Sequence, residues 1–166
     1  MPDDGLLVTD MTTIAYYTRK HYQTYNPRSY FTSSYSGNLG SGFPTSLGVK
    51  IAKPNNVVVS ISGDGGFLFN SQELATAVQF GINVIIIVFN DNAYGNVKRD
   101  MKERFKNKFL GADLKNPNFM KLADSYGVHG MKADSPSSLK KCIKNAINLN
   151  KIVLIEVPTG EMPSPF

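Results

Sequence analysis

Residues 57–95 read VVVSISGDGGFLFNSQELATAVQFGINVIIIVFNDNAYG, and this stretch decides the fold. Val57 to Ile61 is a β-branched run too short for a helix and is stopped by glycines. Val84 to Phe89 is almost wholly β-branched or aromatic. Both have the composition of strands buried on two faces, as in a parallel sheet. Between them Leu74, Ala75, Ala77 and Val78 recur at helical spacing, and Asn70 with Glu73 three residues on has the form of a capping box. A strand–helix–strand unit of this length closes a right-handed crossover. Two turns, Gly63-Asp64-Gly65-Gly66 and Asn90-Asp91-Asn92-Ala93, are then expected at one carboxyl edge of the sheet, where open α/β sheets bind ligands.

Each turn carries a carboxylate. Glycines beside Asp64 let backbone approach a ligand, and their N–H groups suit a phosphate. Asp64 and Asp91 are hard oxygen donors of the kind Mg²⁺ takes sparingly, with phosphate oxygens and water completing its shell. The residues thus suggest a Mg²⁺–diphosphate site. The plainer alternative is that both aspartates are ordinary turn residues, which Asp and Asn favour anyway.

GDG, a spacer ending in a hydrophobic strand, and then an Asn/Asp pair resemble the signature of the thiamine diphosphate enzymes. GNLGSGFPTSLGVK, QELATAVQFG and FNDNAYGNV look like the diphosphate-binding domain of the acetolactate synthase/benzoylformate decarboxylase group, and the resemblance runs from about Asp4 to Pro165. It implies thiamine diphosphate and Mg²⁺ as cofactors. Asp64, Asp91 and the carbonyl of Ala93 match the metal ligands, and Gly63, Gly65 and Gly66 match the backbone around the diphosphate. In the loop Gly37-Asn38-Leu39, the resemblance makes Leu39 the prop that bends the cofactor and the Gly37 carbonyl an acceptor for its aminopyrimidine. From composition alone that loop could equally be a flexible connection with helix-packing glycines. Tyr94, Gly95, Asn96 and Val97 would line the approach to the reactive carbon. In the resembled family the position of Val97 is acidic in pyruvate decarboxylases and apolar in acetolactate synthase-like enzymes. The resemblance therefore leans towards carboligation or another 2-oxo acid reaction over simple decarboxylation of pyruvate, although a valine packed beneath the loop explains Val97 as well. The resembled family usually has Asn at Asp91. The extra charge should weaken diphosphate binding unless Mg²⁺ or a nearby cation offsets it.

By the same resemblance the cofactor is the electron sink for decarboxylation or carboligation of a 2-oxo acid. The activating glutamate belongs to a separate pyrimidine-binding domain, which no part of this chain resembles, so no catalytic residue is assigned here. The chain is expected to be a lyase or transferase only in combination with that domain or subunit, in a homo-oligomer. Its ending, Glu161 to Phe166, resembles a segment after which family members continue. The alternatives are a subunit of a split decarboxylase and a non-catalytic module of the same fold.

At 166 residues the chain is one domain with enough length for a real core. No apolar run reaches the roughly 20 residues of a membrane helix, and the N-terminus lacks a signal peptide's pattern. The single cysteine, Cys142, excludes an internal disulfide, fits a reducing, cytoplasmic setting, and falls on the apolar side of a helical pattern. Net charge is +5, densest from Lys98 to Lys108. Its interspersed acids favour a solvated helix face, or a segment folding over the cofactor mouth, rather than a nucleic-acid surface.

Outward from the central unit, strands are expected at Gly5–Thr9, Tyr30–Thr32, Val128–Met131 and Ile152–Val157. Helices are expected at Met11–Tyr22 with Asp10 or Thr12 as cap, at Phe43–Ala52, after Asn116-Pro117 with Phe119, Leu122, Ala123 and Tyr126 on one face, and after Ser135-Pro136 with Leu139, Cys142, Ile143 and Ala146 on one stripe. About six strands alternating with helices make a doubly wound, mainly parallel α/β sheet with helices on both faces. His21 and His129 have no metal-ligand spacing and read as structural.

Overall fold

A computed structural model of the chain describes residues 1–33 and 36–164; Pro165 and Phe166, part of the ending discussed above, lie outside them. The strands are β1 (Leu6–Thr9), β2 (Tyr30–Thr32), β3 (Val58–Gly63), β4 (Ile85–Asn90), β5 (His129–Lys132) and β6 (Val153–Pro158). They form one sheet in the order β2-β1-β3-β4-β6-β5, with every neighbouring pair parallel. Parallel pairing needs crossovers, and helices α1 (Thr13–His21), α2 (Gly42–Ala52), α3 (Asp64–Phe69), α4 (Glu73–Gln79), α5 (Gly95–Arg104), α6 (Phe119–Ser125) and α7 (Pro136–Leu149) supply them.

Alternation along each strand sends side chains to two apolar layers. Val8, Val58, Ile86 and Leu154 pack with Phe43, Phe67, Leu74 and Phe119 from α2, α3, α4 and α6. Leu7, Val59, Ile87 and Ile155 pack on the other face with Ile14 of α1 and with Leu139, Cys142, Ile143 and Ala146 of α7. The sheet is therefore doubly wound, as its strand composition implies. The α7 stripe and the α6 face, with Phe119 and Ala123 buried, match their periodicities. Cys142 is half-buried within its layer, and both histidines are exposed.

Several local expectations fail. Gly63 to Gly66 is not a turn: Asp64 opens α3 directly, so β3 and β4 are joined by two helices. Phe67 drives this, buried between Phe43 and Phe119 with ring centroids 5.7 and 6.0 Å away, and that packing overrides the poor helix propensity of the glycines. The Asn70/Glu73 capping box is absent. Asn70 instead caps the C-terminus of α3 and donates to the Gly40 carbonyl at 2.7 Å, while the Glu73 carboxylate accepts from Thr76 at 2.7 Å. Thr12 is the N-cap residue of α1 without a side-chain bond. Asn116-Pro117 does not open α6 either; Asn118 caps it, accepting from the Lys121 N–H at 3.0 Å. The basic run is solvated helix in α5, which buries no residue, followed by a non-helical segment. Ser135 and Ser138 do form a reciprocal capping box at α7.

The chain turns to opposite sides after β1 and β3: β1 leads out to β2, whereas β3 leads to β4 on its far side. The register pairs Thr9 with Ile61 and Gly63 with Phe89. Thus Asp10, Asp64 and Asp91, the residues after β1, at the head of α3 and after β4, meet at the carboxyl edge beside the switch point, where such sheets leave a crevice.

Candidate functional site

A cavity of about 370 Å³ opens at that edge. Of the residues singled out in the sequence, Gly37, Leu39, Gly63, Asp64, Gly65, Gly66, Asp91, Ala93, Tyr94, Gly95, Asn96 and Val97 line it. Asn38 does not; it is exposed and borders a neighbouring depression beside Gly37. Met11, Thr12, Thr13, Tyr16, Phe89 and Met162 complete the wall, and nothing in their local pattern marked them. A second cavity of about 380 Å³ adjoins, sharing Asp91, Ala93 and Gly95 and adding Lys98, Arg99 and Lys102.

Asp64 is buried, 2% exposed. Its Oδ1 accepts from the Gly65 N–H at 2.8 Å and its Oδ2 from the Asn116 side-chain amide at 2.6 Å. Burial raises its pKa, and these donors pull it back. Asp91 is half-buried, and its Oδ1 accepts from the Ala93 N–H at 3.3 Å. Its pKa is pushed up from the ordinary 3.8 to about 6, first by burial and then by the charge of Asp64, with Lys98 acting in the opposite sense. A carboxylate whose ionisation is made costlier by the charge of a second one in the same cavity suits a nearby cation.

Segment 112–114 pins the second turn. The Tyr94 N–H donates to the Ala112 carbonyl and the Leu114 N–H to the Asn92 carbonyl, each at 2.8 Å, around an antiparallel bridge of Ala93 with Asp113. Those flanking bonds leave the Ala93 carbonyl outside the ladder, as a ligand would need. Among the described residues no three His, Cys, Asp or Glu side chains form a metal-holding group, so a cation here must draw on amide and carbonyl oxygens as well as the two carboxylates.

Asp10, read in the sequence only as a helix cap, is fully buried and anchors the glycine-rich loop. Its carboxylate accepts from the Gly40 N–H at 3.0 Å and the Met11 N–H at 2.9 Å. Burial raises its pKa against these bonds. Gly40 has φ of +85°, and a Cβ there would lie 2.6 Å from Phe69 Cβ, so only glycine fits. At Gly65 a Cβ would lie 2.5 Å from the Tyr94 ring.

Comparison with known proteins follows the same lines. Residues 10–157 match the family described as thiamine pyrophosphate enzyme, C-terminal TPP binding domain. The acetolactate synthase large subunit of Haemophilus influenzae is 38% identical over 143 residues, covering 85% of this chain and 25% of that protein. Acetolactate synthase of Bacillus subtilis is 34% identical over 157 residues, covering 94% and 27% respectively. The structure titled Rhodococcus jostii RHA1 thiamine diphosphate-dependent 4-hydroxybenzoylformate decarboxylase superposes with a TM-score of 0.89 at 29% identity, over 98% of this chain and 31% of that one. The chain spans about a quarter of the length of the acetolactate synthases it matches. With 148 of its residues inside the match, from 10 to 157, the chain belongs to the thiamine pyrophosphate enzyme family and comprises its C-terminal TPP-binding domain.

Proposed function

We propose that this domain holds the Mg²⁺–diphosphate end of thiamine diphosphate for a 2-oxo acid carboligase or decarboxylase of the acetolactate synthase type. The observation that carries the reading is the convergence of Asp64, Asp91 and the glycine-flanked Leu39 on one cavity at the switch point of the sheet. The donor set fits Mg²⁺: two carboxylates and a backbone carbonyl are hard oxygens, few enough to leave room for phosphate oxygens and water. In this reading Asp64, Asp91 and the Ala93 carbonyl bind the ion. Gly65 gives its N–H to Asp64, so the diphosphate relies on the Gly66 N–H and on the close approach that both glycines permit. Leu39 and the Gly37 carbonyl support the organic part of the cofactor, with Tyr94 to Val97 on the substrate side. When bound, thiamine diphosphate supplies the electron sink for loss or transfer of the 2-oxo acid's acyl carbon.

Lys98 offsets the added charge of Asp91, on which it acts favourably. A pyrimidine-binding domain or subunit in a homo-oligomer completes the site, and a reducing, cytoplasmic setting suits the lone thiol. Thermal unfolding with Mg²⁺, thiamine diphosphate and both tests the reading. A shift that needs both ligands, worth about 2.7 kcal/mol at a hundredfold excess over Kd and lost in Asp64→Ala, is expected. No shift in the chain, with or without a pyrimidine-binding domain added, overturns it.

A further inference from the structure

Behind the two aspartates runs a line of amides that no motif marks, from buried Asn90 to half-buried Asn116. The Glu156 carboxylate, on β6 and 8% exposed, accepts from Asn90 Nδ2 at 2.8 Å. Asn116 Nδ2 in turn donates to Asn90 Oδ1 at 2.9 Å, lies 3.4 Å from Asn92 Oδ1, and donates to Asp64 Oδ2 at 2.6 Å. The direction of this line is set by its ends. Glu156 can only accept when ionised, so Asn90 turns its NH₂ towards it and presents Oδ1 to Asn116. Asp64 likewise only accepts. Asn116 must therefore point its NH₂ inward, because the flipped amide would set an oxygen against three others. One consequence is visible: Asn116 Oδ1 is buried with no hydrogen-bond partner among the described residues. A buried acceptor left unmatched calls for a reason, and the other end of the same amide offers one.

We propose that Asn116 is a positioning residue of the cation site. It holds the Asp64 carboxylate in one orientation and joins it to the Asn90–Asn92 turn, so that the carboxylates from two strand ends are presented together. This rests on the Mg²⁺–diphosphate reading above. Each oxygen of Asp64 receives one close N–H, with lesser backbone contributions from Asn92 and Asp64 itself. A carboxylate has about four lone-pair sites, so the clamp leaves room for an ion. The segment that carries Asn116 is tied down independently, by the bonds of Ala112 and Leu114 to the turn and by an ion pair of Asp113 with Lys98 at 2.5 Å. Amides placed behind metal ligands typically account for 10–100-fold in metal affinity.

The test is Mn²⁺ binding, followed by its electron paramagnetic resonance with thiamine diphosphate present, on the full chain and on Asn116→Ala. Asn118→Ala, which removes the α6 cap two residues away, is the control for a loosened segment. Asn116→Ala is expected to lose 10–100-fold in Mn²⁺ affinity at little change in the melting temperature of the metal-free chain, while Asn118→Ala lowers that temperature and keeps the affinity. In the wild-type chain, the side-chain amide protons of Asn116 are expected to be protected from exchange and to shift when Mg²⁺ and cofactor are added. Equal affinity in Asn116→Ala and wild type, or Asn116 amide signals that ignore the ion, overturns the positioning role alone. Wild-type chain that binds no Mn²⁺ with thiamine diphosphate present, either alone or with a pyrimidine-binding domain added, overturns this role together with the reading beneath it.

Discussion

Asp91 is the residue whose behaviour departs furthest from its ordinary chemistry. Its carboxyl titrates near 6 rather than 3.8 because it is half-buried and faces the charge of Asp64. A folded-state pKa above the unfolded one means that the folded chain holds a proton the unfolded chain has released. The contribution is full below about pH 4 and is lost as pH rises to about 6. We therefore expect the metal-free chain to lose stability across that window, with Asp10 and Asp64 acting in the same sense. Asp91→Asn should be less affected there and more stable than wild type at pH 7.5 by on the order of 1–2 kcal/mol. Urea denaturation at a series of pH values checks this; parallel profiles for the two proteins would refute it. That Asp64, Asp91 and Ala93 come to one edge of the sheet was legible in the sequence because glycines and strand ends frame their segments. Asn116, Asn90 and Glu156 were not, because their roles depend on partners 26 to 66 residues away. Asn116 even misled, since Asn before Pro reads as a helix start, whereas its side chain reaches Asp64 and Asn118 takes the cap.

Among the elements, the strands could be read to within a residue or two because β-branched runs such as Val84–Phe89 have no competing interpretation. The segment after β3 could not, because local propensity and tertiary packing disagree there. Gly65 and Gly66 disfavour a helix, yet burial of Phe67 makes one from Asp64 onwards. That helix start sits tightly against the end of β1. A Cβ on Gly66 would collide with the Asp10 carboxylate, which also holds the Gly40 N–H. Gly66→Ala should therefore destabilise the chain by about 1–3 kcal/mol through overpacking, despite the better propensity of alanine. Gly48 is the comparison: it lies exposed within α2 with nothing within 4 Å of its missing Cβ. Gly48→Ala should stabilise by about 0.5–1 kcal/mol. Denaturant midpoints of the two variants decide the matter, and shifts of the same sign in both would break the packing argument.

At the scale of the molecule, the sheet delivers its loops to one edge and builds a cavity there, but a cofactor held in that cavity must also be activated. The resemblance assigns activation to a glutamate on another domain, and each of this chain's own glutamates has a partner elsewhere. It has four: Glu73, Glu103, Glu156 and Glu161. Glu73 accepts from Thr76 on α4, Glu103 lies 3.9 Å from Arg99 on α5, Glu156 is committed to Asn90, and Glu161 pairs with Lys102 at 2.9 Å. Only Glu161 borders either cavity, and it borders the one beside Lys102 rather than the one with Leu39. The chain loaded with Mg²⁺ and thiamine diphosphate is thus expected to bind cofactor yet give no sustained product from pyruvate. Addition of a pyrimidine-binding domain from an acetolactate synthase should restore turnover, and Glu161→Gln should leave that restored rate unchanged. Carbon dioxide release and acetolactate formation are the measurements. Product that accumulates with the pure chain alone, in proportion to its concentration, would show that the proton-handling group lies within these residues after all, and a rate abolished in Glu161→Gln would identify it.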